Sequence, residues 1–278
     1  MNNLWYCEKI TATNPCAEQP LGPYGACLLG SINLVKYDFL YSGLEEDVNT
    51  IIRAMDNVVD RTIYPLEQQK VKQQSERRMG IGVTGMANCL ERSGCKYGSK
   101  EFIALEEKIL NAIKNFSYLA SVKLAQEKGT FPRYDKVQYN KGKFIATLDT
   151  DVKAEIQKWG TRNSHLTSIA PTGTISMIAG CSSGIEPVFA LAFAHTVGER
   201  RLAFINPVFE AQGLSSGFLT PEEREEVVKK GTVHGVTGVP ATLGSASAFA
   251  GSRGITGGAF RATDRGVVKG GGWTSRGK

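Results

Sequence analysis

No stretch of this 278-residue sequence approaches the roughly 18 consecutive apolar residues that a membrane helix needs; its most conspicuous apolar run is Val188–Ala194. The first residues, Met1 to Lys9, lack a basic region followed by an apolar one, so no secretory leader is expected. There is no Cys-x-x-Cys. The three histidines, His165, His195 and His234, lie far apart, and neither Cys89 nor Cys95 has a histidine nearby, so no metal site is expected. The Gly-Lys-Ser/Thr that closes a Walker-type phosphate loop is missing, no segment repeats, and no tyrosine follows Tyr139. Six cysteines (7, 16, 27, 89, 95, 181) in a chain this long do not make a secreted disulfide scaffold, and a cytoplasmic setting is expected.

What is present is ordinary globular composition, 41% hydrophobic and 22% charged, which excludes a wholly disordered or fibrous chain. The net charge of +6 is localised: residues 241–278 hold six basic side chains and one acid, leaving +1 for the first 240. The same 38 residues carry ten of the 31 glycines, with isolated apolar residues such as Leu243, Phe249, Ile255 and Trp273. Such a segment buries too little surface to offset its ordering entropy, so 241–278 is expected to be a disordered Gly/Arg-rich tail. The body, 1–240, is nearly neutral and gives no electrostatic reason to expect direct DNA binding.

Within the body, apolar spacing predicts a helix over Glu45–Arg61 and a long one over Lys100–Lys128, stopped by Gly129. Gly80–Gly85 reads as a strand or turn entering a helix at Met86–Arg92, its glycines serving close packing. Asp151–Trp159 reads as a helix, and Leu166–Ala170 and Val188–Ala194 as short strands. Thr220–Lys230 opens with Thr at the cap, Pro next and Glu at the third position, a helix start. Alternating helices and strands predict an α/β fold with parallel pairing.

Two segments carry chemistry. In Thr13–Pro20, Pro15 and Pro20 bias their predecessors toward extended backbone, so Asn14, Cys16 and Glu18 are expected to project from one edge of an extended loop. The plainer reading is a polar surface loop around a buried, inert cysteine. Cys27, between Gly25 and Gly30, is either a core cysteine or a redox thiol partnered by Cys16 or by a cysteine elsewhere. In the second segment a strand ends at Pro171, Thr172-Gly173-Thr174 turn, and a helix begins near Ile175. Free N–H groups and hydroxyls there suit an anion, or simply an N-capped helix.

At this point the motifs 14–21, 25–34, 77–85 and 170–176, extended by 182–189 and 206–210, resemble the catalytic chains of ribonucleotide reductases, closest to the adenosylcobalamin-dependent class. The resemblance implies the second half of a ten-stranded α/β barrel with a central finger loop. It implies Cys16 as the thiyl-radical cysteine, Glu18 as general base, Asn14 as the amide orienting the substrate hydroxyls, and Cys27 as one of two redox-active cysteines. Substrate would meet Asn14, Pro15, Cys16, Ala17 and Glu18, and Pro171, Thr172, Gly173, Thr174, Ile175 and Ser176 would cradle its phosphate. The implied cofactor is adenosylcobalamin, or alternatively a radical supplied by a diiron small subunit. The implied partners are the ribonucleotide, a separate N-terminal half-barrel chain and a thioredoxin-like reductant. The competing reading is an inactive fragment that binds only nucleotide phosphate or a partner chain.

Overall fold

The longest helix forms where the 3.6-residue period is most sustained and both ends carry stop signals. The computed structural model describes residues 1–37, 43–188, 190–197, 200–206, 209–211, 213, 217, 220–230 and 236. The tail 241–278, with His234, Phe189 and the last residues of the body, lies outside them, as do the side chains of residues 193–204. The elements are β1 (Ala12–Thr13), β2 (Pro20–Leu21), β3 (Leu29–Asn33), α1 (Leu44–Arg61), α2 (Glu67–Glu76), β4 (Gly80–Thr84), α3 (Met86–Arg92), α4 (Lys100–Lys128), α5 (Lys136–Asn140), α6 (Thr150–Trp159), α7 (Gly173–Ala179), β5 (Ala192–Val197), β6 (Arg200–Ile205) and α8 (Pro221–Lys230).

The first unit comprises Met1–Cys89 and Gly98–Val188. Its centre is β3 paired parallel to β4, in register from Leu29↔Gly80 to Asn33↔Thr84. Every residue of β4 is buried, as expected of a parallel strand covered on both faces. α1 lays Val48, Ile52, Met55 and Val59 into the core, while Val58 is 46% exposed. α4 begins where Ser99 accepts from the Phe102 N–H at 3.1 Å and ends at Gly129, whose φ of 82° would strain any other residue. It packs against α1 and α6.

Leu166–Ala170 does not become a ladder strand. Thr167 alone bridges to Ile81, parallel, with Ile81 N–H donating to the Leu166 carbonyl and Ser168 N–H to the Ile81 carbonyl. Pro171 supplies no N–H with which to continue, and the Ser168 hydroxyl turns instead toward the Glu18 carbonyl. α7 starts at Gly173, two residues earlier than expected.

The second unit holds Leu90–Tyr97 and the described residues from 190 onward. β5 and β6 form an antiparallel hairpin, Ala192↔Ile205 to Val197↔Arg200, so the expected strand starts four residues later than Val188. α8 opens with a reciprocal cap: the Thr220 N–H donates to Glu223 Oε2 at 2.7 Å, and the Glu223 N–H to Thr220 Oγ1 at 3.3 Å. Leu191, Ala192, Phe209 and Val227 are buried.

Glu91 is only 5% exposed, and its Oε1 has no hydrogen-bond partner. Burial pushes its carboxyl from the ordinary 4.5 up to about 7. Between those values the folded chain keeps a proton that the unfolded chain has released, so stability is full below the lower value and falls as pH rises toward the upper one. Glu91→Gln is therefore expected to raise unfolding free energy by about 1–3 kcal/mol at about pH 8 and by almost nothing at about pH 4. Urea titrations at the two pH values read the difference; an equal effect at both would contradict it.

Candidate active site

The segment Asn14–Gln19 is not extended, as its prolines suggested, but is the loop of a hairpin. β1 and β2 pair antiparallel, Ala12↔Leu21 and Thr13↔Pro20, and the chain reverses between them. Asn14 to Ala17 form a tight turn in which the Ala17 N–H donates to the Asn14 carbonyl at 3.0 Å. Pro15 takes the first central position, for which its fixed φ is suited, and Ala17 lies at φ 66°. The Asn14 side chain closes the loop, its Oδ1 accepting from the Gln19 N–H at 2.9 Å. Proline did exclude helix, but the bond from Asn14 to Gln19 bends the chain where two prolines alone would leave it straight.

Three contacts fix this loop to the sheet. The Ser168 hydroxyl donates to the Glu18 carbonyl at 2.7 Å. The Arg78 guanidinium donates to the Pro20 carbonyl and pairs with the buried Glu8 carboxylate. Gly80 leaves room: a Cβ there would collide with the Gln19 side-chain amide and Ser168 Cβ, just as one on Gly82 would strike the Ser168 carbonyl. Gly80 and Gly82 thus serve close approach.

Asn14, Cys16, Glu18 and Cys27 come together at this loop. Asn14 Nδ2 lies 3.7 Å from Cys27 Sγ. Burial, then the charges of Glu18 and Cys16, push the Cys27 thiol up. Cys16 sits exposed at the tip of the turn and Cys27 is exposed as well, which removes the reading of a buried, inert cysteine. Glu18 keeps a buried Oε2 with no hydrogen-bond partner. Asn14 has spent its oxygen on Gln19, so what it can still offer a ligand is an N–H donor.

The Pro171–Ser176 turn is built differently from a bare helix end. Thr172 holds φ 54° and is buried. Its hydroxyl accepts from the Gly184 N–H at 2.7 Å and lies 3.0 Å from Thr84 Oγ1, which itself donates to the Ser182 carbonyl. Thr172 therefore shapes the turn and has no hydroxyl left over. Ser176 Oγ donates to the Gly173 carbonyl and lies 2.8 Å from Ser183 Oγ. Gly173, Thr174 and Ile175 are exposed, and their N–H groups precede the first helical bond, from the Ser176 N–H to the Thr172 carbonyl. Thr84, Ser168 and Arg78 were not singled out from the sequence. Their roles depend on partners 58 to 150 residues away, and no local pattern announces those. Ser168 connects the two segments: it holds Glu18 and stands four residues before Thr172, a span of at most about 14 Å of extended chain.

Among the described residues, no three His, Cys, Asp or Glu side chains converge to hold a metal. No helix there is long and apolar enough to cross a membrane.

Hairpin loop, glycine-bearing parallel strand and capped turn all lie within a match to the family model described as ribonucleotide reductase, barrel domain, which spans residues 1–246. The chain belongs to that family. It is 40% identical over 233 residues to a vitamin B12-dependent ribonucleoside-diphosphate reductase of Thermoplasma acidophilum, an alignment covering 82% of this chain and 28% of that protein. To the protein of the same name from Mycobacterium tuberculosis (strain H37Rv) it is 36% identical over 244 residues, 86% of this chain and 32% of the relative. To the ribonucleoside-diphosphate reductase subunit alpha of Chlamydia pneumoniae it is 33% identical over 222 residues, 69% of this chain and 21% of the relative. The chain thus spans less than a third of the length of the curated relatives it matches.

Proposed function

We propose that this chain carries the thiol half of a ribonucleotide reductase: the second half of a ten-stranded α/β barrel, with the Asn14–Gln19 hairpin as its finger loop. The single observation that carries the reading is the meeting of Asn14, Cys16, Glu18 and Cys27 at one loop that is tied to the sheet. In this reading Cys16, as a thiyl radical, takes the 3′ hydrogen of the ribose. Glu18, whose Oε2 has no protein partner, accepts the 3′ hydroxyl proton, which makes departure of that proton easier as the sugar radical forms. The Asn14 N–H positions the hydroxyls. The 2′ hydroxyl leaves as water, and the two electrons come from Cys27 and a second cysteine on the partner half, which finish as a disulfide reopened by a thioredoxin-like reductant. The exposed N–H groups of Gly173–Ile175 receive the phosphate.

The names of the two B12-dependent relatives favour adenosylcobalamin as the radical source over a diiron small subunit. The cobalamin's chemistry when bound would be to generate the Cys16 radical. The reaction would be cytoplasmic. Residues 1–240 would form the barrel part, and 241–278 a tail outside it.

The test mixes this chain with a separately expressed N-terminal half-barrel from a B12-dependent relative, a ribonucleoside diphosphate, adenosylcobalamin and dithiothreitol. Deoxyribonucleotide formed by the pair and by neither piece alone is expected. No product, against a working full-length relative, would favour the second reading, an inactive fragment that at most binds phosphate; the short span relative to the family is what keeps that reading in view.

A further inference from the structure

In the family reading Cys27 pairs with a cysteine outside this chain, and Cys16 stays a free thiol. The geometry points to another pairing: we propose that Cys16 and Cys27 oxidise to each other, forming a reversible disulfide that consumes both exposed thiols. Nothing in this pairing depends on the reductase reading.

Three observations carry it. Cys27 Sγ is 3.7 Å from Asn14 Nδ2, and Cys16 lies two residues past Asn14 inside the turn closed by the Ala17-to-Asn14 bond. Cys16 is the one cysteine that, after burial and the Glu18 charge, pushes the Cys27 thiol up. Both residues are exposed, and neither lies within a helix or strand, so each can shift to meet the roughly 3.8 Å Cβ separation that a disulfide requires. Of the other thiols, Cys89 is buried and Cys181 Sγ lies 3.6 Å from Thr84 Oγ1.

The oxidant is a small-molecule disulfide such as oxidised glutathione. The exposed Cys16 thiolate attacks one sulfur of it, forming a mixed disulfide and releasing one glutathione thiolate. The Cys27 thiolate then attacks the Cys16 sulfur, forming the internal bond and releasing the second. Two protein thiols are oxidised, one glutathione disulfide is reduced to two thiols, and the protons pass to the released thiolates. The raised Cys27 thiol makes the second step slower as pH falls.

The sequence provides a clean readout. No Lys or Arg lies between Lys9 and Lys36, so one tryptic peptide, Ile10–Lys36, carries both Cys16 and Cys27 and no other cysteine. The full chain is treated with oxidised glutathione, quenched, alkylated and digested without reduction. The expected product is Ile10–Lys36 lighter by two hydrogens and carrying no alkyl group, formed at least about tenfold faster in the native chain than in guanidinium, where only random loop closure brings the thiols together. Dithiothreitol should restore two alkylations. Cys16→Ser and Cys27→Ser should each leave a mixed disulfide with glutathione on the remaining cysteine. A doubly alkylated peptide, a cross-link to a peptide holding Cys7, Cys89, Cys95 or Cys181, or equal rates in native and unfolded chain would overturn the proposal. None of these outcomes bears on nucleotide turnover, so failure here and failure of the reductase reading are distinct.

Discussion

Cys16→Ala is expected to abolish deoxyribonucleotide formation in the reconstituted pair while leaving the chain as stable as before. The two halves of that expectation have separate causes. Cys16 is exposed at the tip of a turn whose shape is held by Asn14, Pro15 and Gln19, and its sulfur packs into no core. Surface substitutions of this kind usually change stability by no more than about 0.5 kcal/mol. The chemistry, by contrast, has no substitute for the sulfur: neither Glu18 nor Asn14 can carry a radical that abstracts hydrogen from the sugar. Turnover should therefore fall by at least about three orders of magnitude, the scale seen when a reacting group rather than a binding group is removed. Chromatographic product analysis and a urea titration of the same preparation check the two parts. Turnover retained by the alanine variant would end the radical role for Cys16. Loss of turnover accompanied by unfolding would show instead that the turn depends on its tip.

The parts of the fold visible in the sequence are those whose causes are local. α4 was readable to the residue because Phe102, Ile113 and Ala120 recur on one period that a glycine stops. α8 was readable because Thr220 and Glu223 cap each other across three residues. The hairpin was not. Its strands are two residues each, too short to alternate, and its loop is shaped by one side chain bonding a backbone N–H five residues on. For the site, the motifs named Asn14, Cys16, Glu18 and Cys27. The mechanism that joins the first three was misread as strand alternation, and the approach of Cys27 spans a sequence separation that no periodicity encodes. Thr172 was read as a free hydroxyl for an anion, but only the fold shows that Gly184 and Thr84 already use it. Asp56 was passed over altogether, because a carboxylate beside the apolar stripe of an amphipathic helix reads as a solvated edge.

That carboxylate carries the second large effect. Asp56 is fully buried on α1 and gathers groups from three other segments. Arg77, at the end of α2, donates to it from Nε at 2.8 Å, and Asn163 donates from Nδ2 at 3.0 Å. Lys128, at the end of α4, stands 3.4 Å from Oδ2, and Arg162 stands 3.5 Å away. Arg77 is itself buried, and Asp60, its other anion at 2.6 Å, is half exposed. Asp56→Ala would leave the buried Arg77 guanidinium with Asp60 as its one, solvent-screened anion beside the Asp56 backbone carbonyl, and would take from the Asn163 amide one of its two acceptors, the Arg77 carbonyl remaining. Removing one member of such a pair typically costs about 3–5 kcal/mol, far more than the intact pair contributes over an apolar replacement. A fall of that size in unfolding free energy is expected by urea titration, read from the midpoint at unchanged slope. The exposed pair Arg53–Glu127, bidentate at 2.6 and 2.8 Å, provides the contrast: Arg53→Ala should barely move the midpoint, since the Glu127 carboxylate left behind is already in water. The combination Asp56→Ala with Arg77→Ala should cost less than the sum of the two single changes, because the second substitution removes the charge that the first left uncompensated. Strict additivity, or a loss below about 1 kcal/mol for Asp56→Ala, would mean that water reaches Arg77 and that this junction of helices is held by its apolar contacts alone.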